Sequence, residues 1–208
     1  MISVVLFPGR DTPTHMVWKG LTRLNEIRLM ATAQTLRVRP GPGTDQGQRN
    51  HVLLAILLCS GLRVSEVLGL DRDQYNGKGF ERVQVKGGMV RDFVPVHREA
   101  RKVFDDWLDA REDEAQPIFI TRTGRRLSRR GAAAIIQRMA AQANGRLSEE
   151  EKIDVSPHVL RHTFLRKLAE TKGVHYAREA SGHPSDRYIW RYVKPDQQTL
   201  AEAVDALE

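Results

Sequence analysis

Between His51 and Ser60 the chain reads HVLLAILLCS, with eight consecutive apolar residues from Val52 to Cys59. That run falls far short of the roughly twenty residues needed to cross a bilayer. Read as a helix it is apolar on nearly all sides, and such a helix has to be wrapped by other elements. His51–Ser60 is therefore expected to be the central helix of a globular core, ended or bent by Gly61, with a second short helical run from Val64 to Leu70.

The flanking sequence supplies candidates for the wrapping. Residues 1–20 read as an irregular arm with Pro8, Gly9 and Pro13, and lack the basic start of a signal peptide. From Leu21, apolar residues at Leu24, Ile27, Met30 and Ala31 have helical spacing. Residues 37–48, rich in Gly and Pro, read as a loop. Phe80, Val83 and Val85, then Phe93, Val94 and Val96, flank Gly87-Gly88 and predict a small hairpin. Arg98–Asp113 reads as a polar amphipathic helix, PIFITRTGRRLSRRG as a short strand-like piece with a turn at Gly124, and Ala132–Ala143 as another helix. Ser156-Pro157 suits a helix start, with proline at the first helical position. Leu200, Ala203, Val204 and Leu207 form an apolar stripe on a last helix. The expected fold class is mainly α with one small antiparallel β-sheet. The single cysteine, Cys59, excludes an internal disulfide framework and a Cys-based zinc site. A cytoplasmic location is expected.

Charge is unevenly distributed. Residues 117–194 hold 16 Lys+Arg against 7 Asp+Glu, a net of +9, whereas the whole chain carries +7. A basic segment in an otherwise near-neutral protein suits a polyanionic partner.

Four local patterns carry chemistry. Ser60-Gly-Leu-Arg63-Val-Ser-Glu66 places Arg63 just after the apolar helix. His158-Val-Leu-Arg161-His162 puts His158 and Arg161 at i and i+3, on one helix face. Ser181-Gly-His183-Pro is the third, and Tyr192, nine residues beyond His183, the fourth. Each alone also suits an ordinary role: an arginine at a helix end, a solvated helix face, a glycine turn, a buried tyrosine with a satisfied hydroxyl.

Together and in this order, the four resemble the tyrosine recombinases of the phage-integrase family. Lys86, 23 residues after Arg63 and beside Gly87-Gly88, stands where that family carries a lysine on a hairpin turn. The resemblance covers about residues 21–195. It implies an integrase-like catalytic domain over 21–195, preceded by the arm 1–20 and followed by a C-terminal helix, 196–208, that is either exchanged between protomers or docked on its own domain. Two departures stand out. Ser181 replaces the leucine usual before Gly-His, which should loosen packing at His183, and Tyr188 is a second tyrosine near Tyr192. The family usually carries a separate core-binding domain before the catalytic region. No complete one is expected here, so the sequence reads as a fragment or a minimal recombinase.

The resemblance implies site-specific recombination by cleavage and rejoining of double-stranded DNA through a covalent 3′-phosphotyrosine on Tyr192, without metal, cofactor or ATP. Arg63 and Arg161 would bind the non-bridging oxygens through charge-assisted bidentate bonds, and His183 would add a hydrogen bond. A free tyrosine has a pKa of about 10, so Tyr192 must lose its proton as it attacks. His158 would accept that proton or steer it, and Lys86 would protonate the departing 5′ oxygen. Arg122, Arg125, Arg126, Arg129 and Arg130 are the expected phosphate binders outside the site, and the helix 132–143 the expected base reader. Self-association into a tetramer on synapsed DNA is expected. The competing readings are a DNA-binding protein or inactive remnant, and a topoisomerase-like strand-passing enzyme.

Overall fold

The computed structural model describes residues 20–36, 46–145, 147–182 and 197–205. Residues 1–19 of the N-terminal arm, His183 and Tyr192 lie outside them. The chain divides into two compact units, Met1–Phe164 and Leu165–Glu208.

The first unit contains α1 (Arg23–Thr35), α2 (Gln46–Ser60), α3 (Val64–Gly69), β1 (Gly79–Gln84), β2 (Val90–Pro95), α4 (Arg98–Asp109), α5 (Arg129–Asn144) and the first half of α6 (Pro157–Lys172). The apolar run lies on α2, where Val52, Leu53, Leu54, Ile56 and Leu57 are fully buried. Each such side chain contributes about 1.5–3 kcal/mol of transfer free energy. α2 packs against α1 and α4, and α5 covers α1 and α3. The predicted loop 37–48 ends early, because α2 already starts at Gln46. Gly47 and Arg49 are buried there, and Arg49 Nη1 donates to the carbonyl of Ile120 at 2.7 Å. Tertiary contacts thus override the poor helix propensity of glycine.

β1 and β2 pair antiparallel with Phe80 opposite Val94 and Val83 opposite Arg91. Phe80, Val83 and Val94 face the core, whereas Phe93 points to solvent. The pleat puts Phe93 and Val94 on opposite faces, but Phe80 and Val83, three positions apart, both turn inward around Arg82, whose φ is 50°. Gly87 and Gly88, at φ 93° and 77°, make the turn in a region that favours glycine. Behind the hairpin, Tyr75, Phe80, Phe104, Trp107 and Phe119 form a chain of aromatic contacts with centroid separations from 4.6 to 6.0 Å.

Two helix boundaries differ from expectation. α4 stops at Asp109 rather than Asp113. Arg111 and Asp113 turn inward instead: the Arg111 guanidinium binds the Asp113 carboxylate at 2.5 and 2.8 Å and the Ile118 carbonyl at 2.6 Å, and lies over the Trp107 ring. Arg72 binds the same carboxylate, at 3.0 Å. Residues expected to finish the amphipathic helix are therefore a partly buried ion cluster. α5 starts three residues earlier than predicted, at Arg129, because the Ser128 hydroxyl caps it by accepting from the Gly131 amide at 3.0 Å.

The second unit contains the rest of α6, then α7 (Val174–Ser181) and α8 (Gln197–Asp205). Ala169 and Ala177 are buried there, with Val174 against them. Gly182 closes α7, and the buried Ser181 folds its hydroxyl back onto the Arg178 carbonyl at 2.7 Å. On α8, Val204 is exposed. Leu200, Ala203 and Leu207 of the predicted stripe lie outside the described side chains. No helix among the described residues is long and apolar enough to cross a membrane.

Candidate active site

The C-terminal end of α2 begins the site. Ser60 Oγ donates to the Ile56 carbonyl at 2.7 Å and accepts from the Leu62 amide at 3.3 Å. Gly61 then takes φ 66°, which turns the chain sharply between α2 and α3. Arg63 follows as the N-cap residue of α3, in extended conformation. Glu66, three residues on, reaches back: Oε2 accepts from the Arg63 amide at 2.7 Å and Oε1 from its guanidinium at 2.8 Å. An acidic side chain at this position satisfies an amide that the helix leaves without a partner and complements the helix dipole.

α6 supplies the opposite wall. Pro157 opens it, with Ser156 accepting from the amides of Val159 and Leu160. Leu160 is fully buried, and the Thr163 hydroxyl accepts from the Leu21 amide at 2.8 Å, which ties α6 to the start of α1. With that face anchored, Arg161 is directed at the α2–α3 turn. Its Nη1 donates to the Gly61 carbonyl and lies 3.9 Å from Glu66 Oε2. Arg161 and Glu66 are 6% and 5% exposed, so their charges interact with little screening. His158, one turn earlier, is exposed, and its Nε2 is hydrogen-bonded to Nε2 of His162.

These pieces enclose a cleft of about 200 Å³ lined by Arg63, Val64, Ser65, Arg129, Pro157, His158 and Arg161. Three guanidiniums and an imidazole around one small cleft suit an anionic ligand such as a phosphodiester. Of the six residues expected from sequence, the cleft brings together Arg63, His158 and Arg161. Lys86 is exposed on the β1–β2 turn and does not line it. His183 and Tyr192 lie outside the described residues.

Among the expected phosphate binders, Arg122 and Arg125 are exposed on the turn made by Gly124, and Arg130 on the first turn of α5. Arg129, beside it, lines the cleft itself. Arg126 is committed elsewhere. It donates to the carbonyls of Leu68 and Leu70 at 2.9 and 3.1 Å and to Asp71 at 2.6 Å, anchoring the end of α3. Glu66 lies within the Ser60–Glu66 motif, and its link to both arginines is a role the motif alone does not reveal. The signal available was an acidic residue at the third position of a helix opened by Arg63.

The chain belongs to the phage integrase family, whose model matches residues 20–199. It is similar to Tyrosine recombinase XerC of Pseudomonas aeruginosa, 33% identical over 163 residues that cover 76% of this chain and 51% of that protein. Tyrosine recombinase XerC of Azotobacter vinelandii is 32% identical over 195 residues, covering 90% of this chain and 62% of that protein. The chain thus spans about half to three fifths of the length of these relatives. Among solved structures, the crystal structure of XerA recombinase superposes with a TM-score of 0.71 at 22% identity, covering 93% of this chain and 66% of that one. The XerH site-specific recombinase bound to difH substrate gives 0.69 at 21% identity, covering 90% and 54%. At such identities the likeness is one of fold.

Proposed function

We propose that this chain is a site-specific DNA recombinase that cleaves and rejoins one DNA strand at a time, with Tyr192 as nucleophile. The observation that carries this reading is the cleft itself. Arg63 and Arg161 come from segments far apart in sequence, share one buried carboxylate, and open with His158 onto the same small volume. In a family whose members include proteins named tyrosine recombinases, that arrangement suits a scissile phosphate.

The steps follow from the charges. The two guanidiniums bind the non-bridging oxygens and stabilise the added negative charge of the pentacoordinate transition state. The Tyr192 oxygen forms a bond to phosphorus while the bond to the 5′ oxygen breaks. The phenolic proton passes to His158 and the leaving oxygen takes one from Lys86, brought up with its hairpin turn when DNA is bound. His183 hydrogen-bonds the phosphate. The 3′-phosphotyrosine keeps the energy of the broken bond, so attack by a 5′-hydroxyl reseals the strand without a high-energy cofactor. Arg122, Arg125 and Arg130 bind flanking phosphates and set position rather than sequence preference. Self-association on paired sites completes the exchange.

A nicked suicide substrate tests this. Wild type is expected to accumulate an EDTA-resistant protein–DNA adduct, and Tyr192→Phe none. Equal adduct from both would remove Tyr192 from its role. DNA binding without adduct would leave a binding protein, and plasmid relaxation without sequence preference a topoisomerase-like enzyme.

A further inference from the structure

We propose that Arg129 is a third guanidinium on the scissile phosphate, acting in the chemical step and not as one of the flanking backbone contacts. This rests on the reading of the cleft as the site of strand cleavage. Arg129 is the first residue of α5 and lines the cleft together with Arg63, His158 and Arg161. Its backbone is held on both sides. Ser128 caps the helix through the Gly131 amide at 3.0 Å, and the Leu127 amide donates to the Phe119 carbonyl at 2.8 Å. One residue earlier, Arg126 is bonded to the carbonyls of Leu68 and Leu70, at the far end of the helix that Arg63 opens. The mounts of Arg129 and Arg63 are thus tied to each other, as a group that must meet one atom with small positional error requires. For helix stability alone the placement is unfavourable. α5 has no acidic residue in its first turn, and Arg129 and Arg130 stand at the positive end of the helix dipole. A bound anion offsets that cost.

The charges of the cleft define what a third cation contributes. Arg63 lies 2.8 Å and Arg161 3.9 Å from the carboxylate of Glu66. Two positive charges share one negative, so this trio brings at most one net positive charge to a ligand. A phosphodiester in its ground state carries one negative charge. As the Tyr192 oxygen bonds to phosphorus and its proton passes to His158, the charge on the phosphoryl group approaches two, until the 5′ oxygen leaves with a proton from Lys86. Arg129 has no acidic partner among the described residues. Its charge is therefore the one that meets the second negative charge, which develops only on the way to the transition state. An interaction that is stronger there than in the ground state lowers the barrier more than it tightens binding. Arg129 is exposed in the free chain, so solvent and salt screen it. DNA lying over the cleft displaces that water and strengthens the attraction.

The test is single-turnover adduct formation by the full chain on saturating nicked suicide substrate. Arg129→Gln is expected to be slower than wild type by roughly 10–100-fold, less than the loss of a fully enclosed oxyanion donor. Arg129→Lys, which keeps the charge, should recover part of that rate. A methylphosphonate at the scissile position removes one negative charge from the substrate, so the gap between wild type and Arg129→Gln should close there to about threefold or less, as coupled partners require. The same replacement at either neighbouring phosphate should leave the gap as it was. Equal rates at saturation, or a gap that closes with a neighbouring methylphosphonate and not with the scissile one, would overturn the proposal and return Arg129 to the flanking contacts. A titration of wild type with inorganic phosphate, followed by the ¹⁵N Nε–Hε resonances of the arginines, needs neither cleavage nor a folded variant. Arg63 and Arg129 are expected to shift along one saturation curve, and an unmoved Arg129 would also overturn the proposal. A shared curve with no adduct in wild type would remove the functional reading and keep the common anion site.

Discussion

Arg161 and Gly61, 100 residues apart in sequence, are joined by a hydrogen bond from the guanidinium Nη1 to the glycine carbonyl, and the same nitrogen lies 3.9 Å from Glu66 Oε2. The turn after α2 is therefore an anchor for α6 as well as the mount for Arg63. Glu66→Leu would leave two cations, one of them buried, without their shared carboxylate. It is expected to destabilise the fold by about 3–5 kcal/mol, the usual cost of breaking a buried pair from one side. Glu66→Gln keeps a hydrogen-bonding group and should lose less. Urea unfolding measures both, and a leucine variant as stable as wild type would contradict the role given to Glu66.

Arg161→Lys keeps the charge but not the planar fork that can bind Gly61, Glu66 and a phosphate together. Adduct formation is expected to fall by about 10²–10³-fold, the scale of losing one oxyanion donor, with little change in DNA affinity. Single-turnover cleavage with a parallel binding titration separates the two. A loss confined to affinity would place Arg161 among the positioning contacts instead.

Arg122 and Arg125 on one side and Arg126, whose guanidinium is hydrogen-bonded to α3, on the other should part company in salt titrations. Arg122→Gln or Arg125→Gln is expected to reduce the slope of log K against log salt by about one, as each phosphate contact releases a counterion. Arg126→Gln should leave the slope unchanged and lower Tm, because its guanidinium holds the carbonyls of Leu68 and Leu70. A slope change for Arg126→Gln with unaltered Tm would reverse that division.

Burial lowers the pKa of His51 on α2 below its ordinary value. Above pH about 6.5 the imidazole is neutral in folded and unfolded chains alike. As pH falls below that, the unfolded chain takes up the proton first, so stability declines until the lower folded pKa is passed. The Tm of wild type should drop over this window, and that of His51→Gln should drop less. Identical Tm profiles would exclude His51 as the source.

Much of the fold was legible in local pattern. The eight-residue apolar run predicted a central helix because no residue on it offers a polar face, and Gly87-Gly88 between two β-rich runs predicted the hairpin. Boundaries were less legible where distant groups decide them. Arg49 holds the start of α2 through a carbonyl at Ile120, and the helix expected to reach Asp113 ends at Asp109 because Arg111 and Asp113 find partners at Ile118 and Arg72. Of the site, the motifs pointed to Arg63, His158 and Arg161. Nothing in their spacing distinguished Arg126, which braces α3, from its neighbour Arg125, which faces solvent.

By itself the sequence determined the family, the helical core and the identities of the charged groups, since residue types and short-range periodicity are local properties. Only the tertiary structure decided that one buried carboxylate serves two arginines, that Arg129 joins them at the cleft, and that His162 stands behind His158. Those are relations between side chains brought together by packing across the chain or by the exact rotation of one helix, and no local pattern specifies a distance.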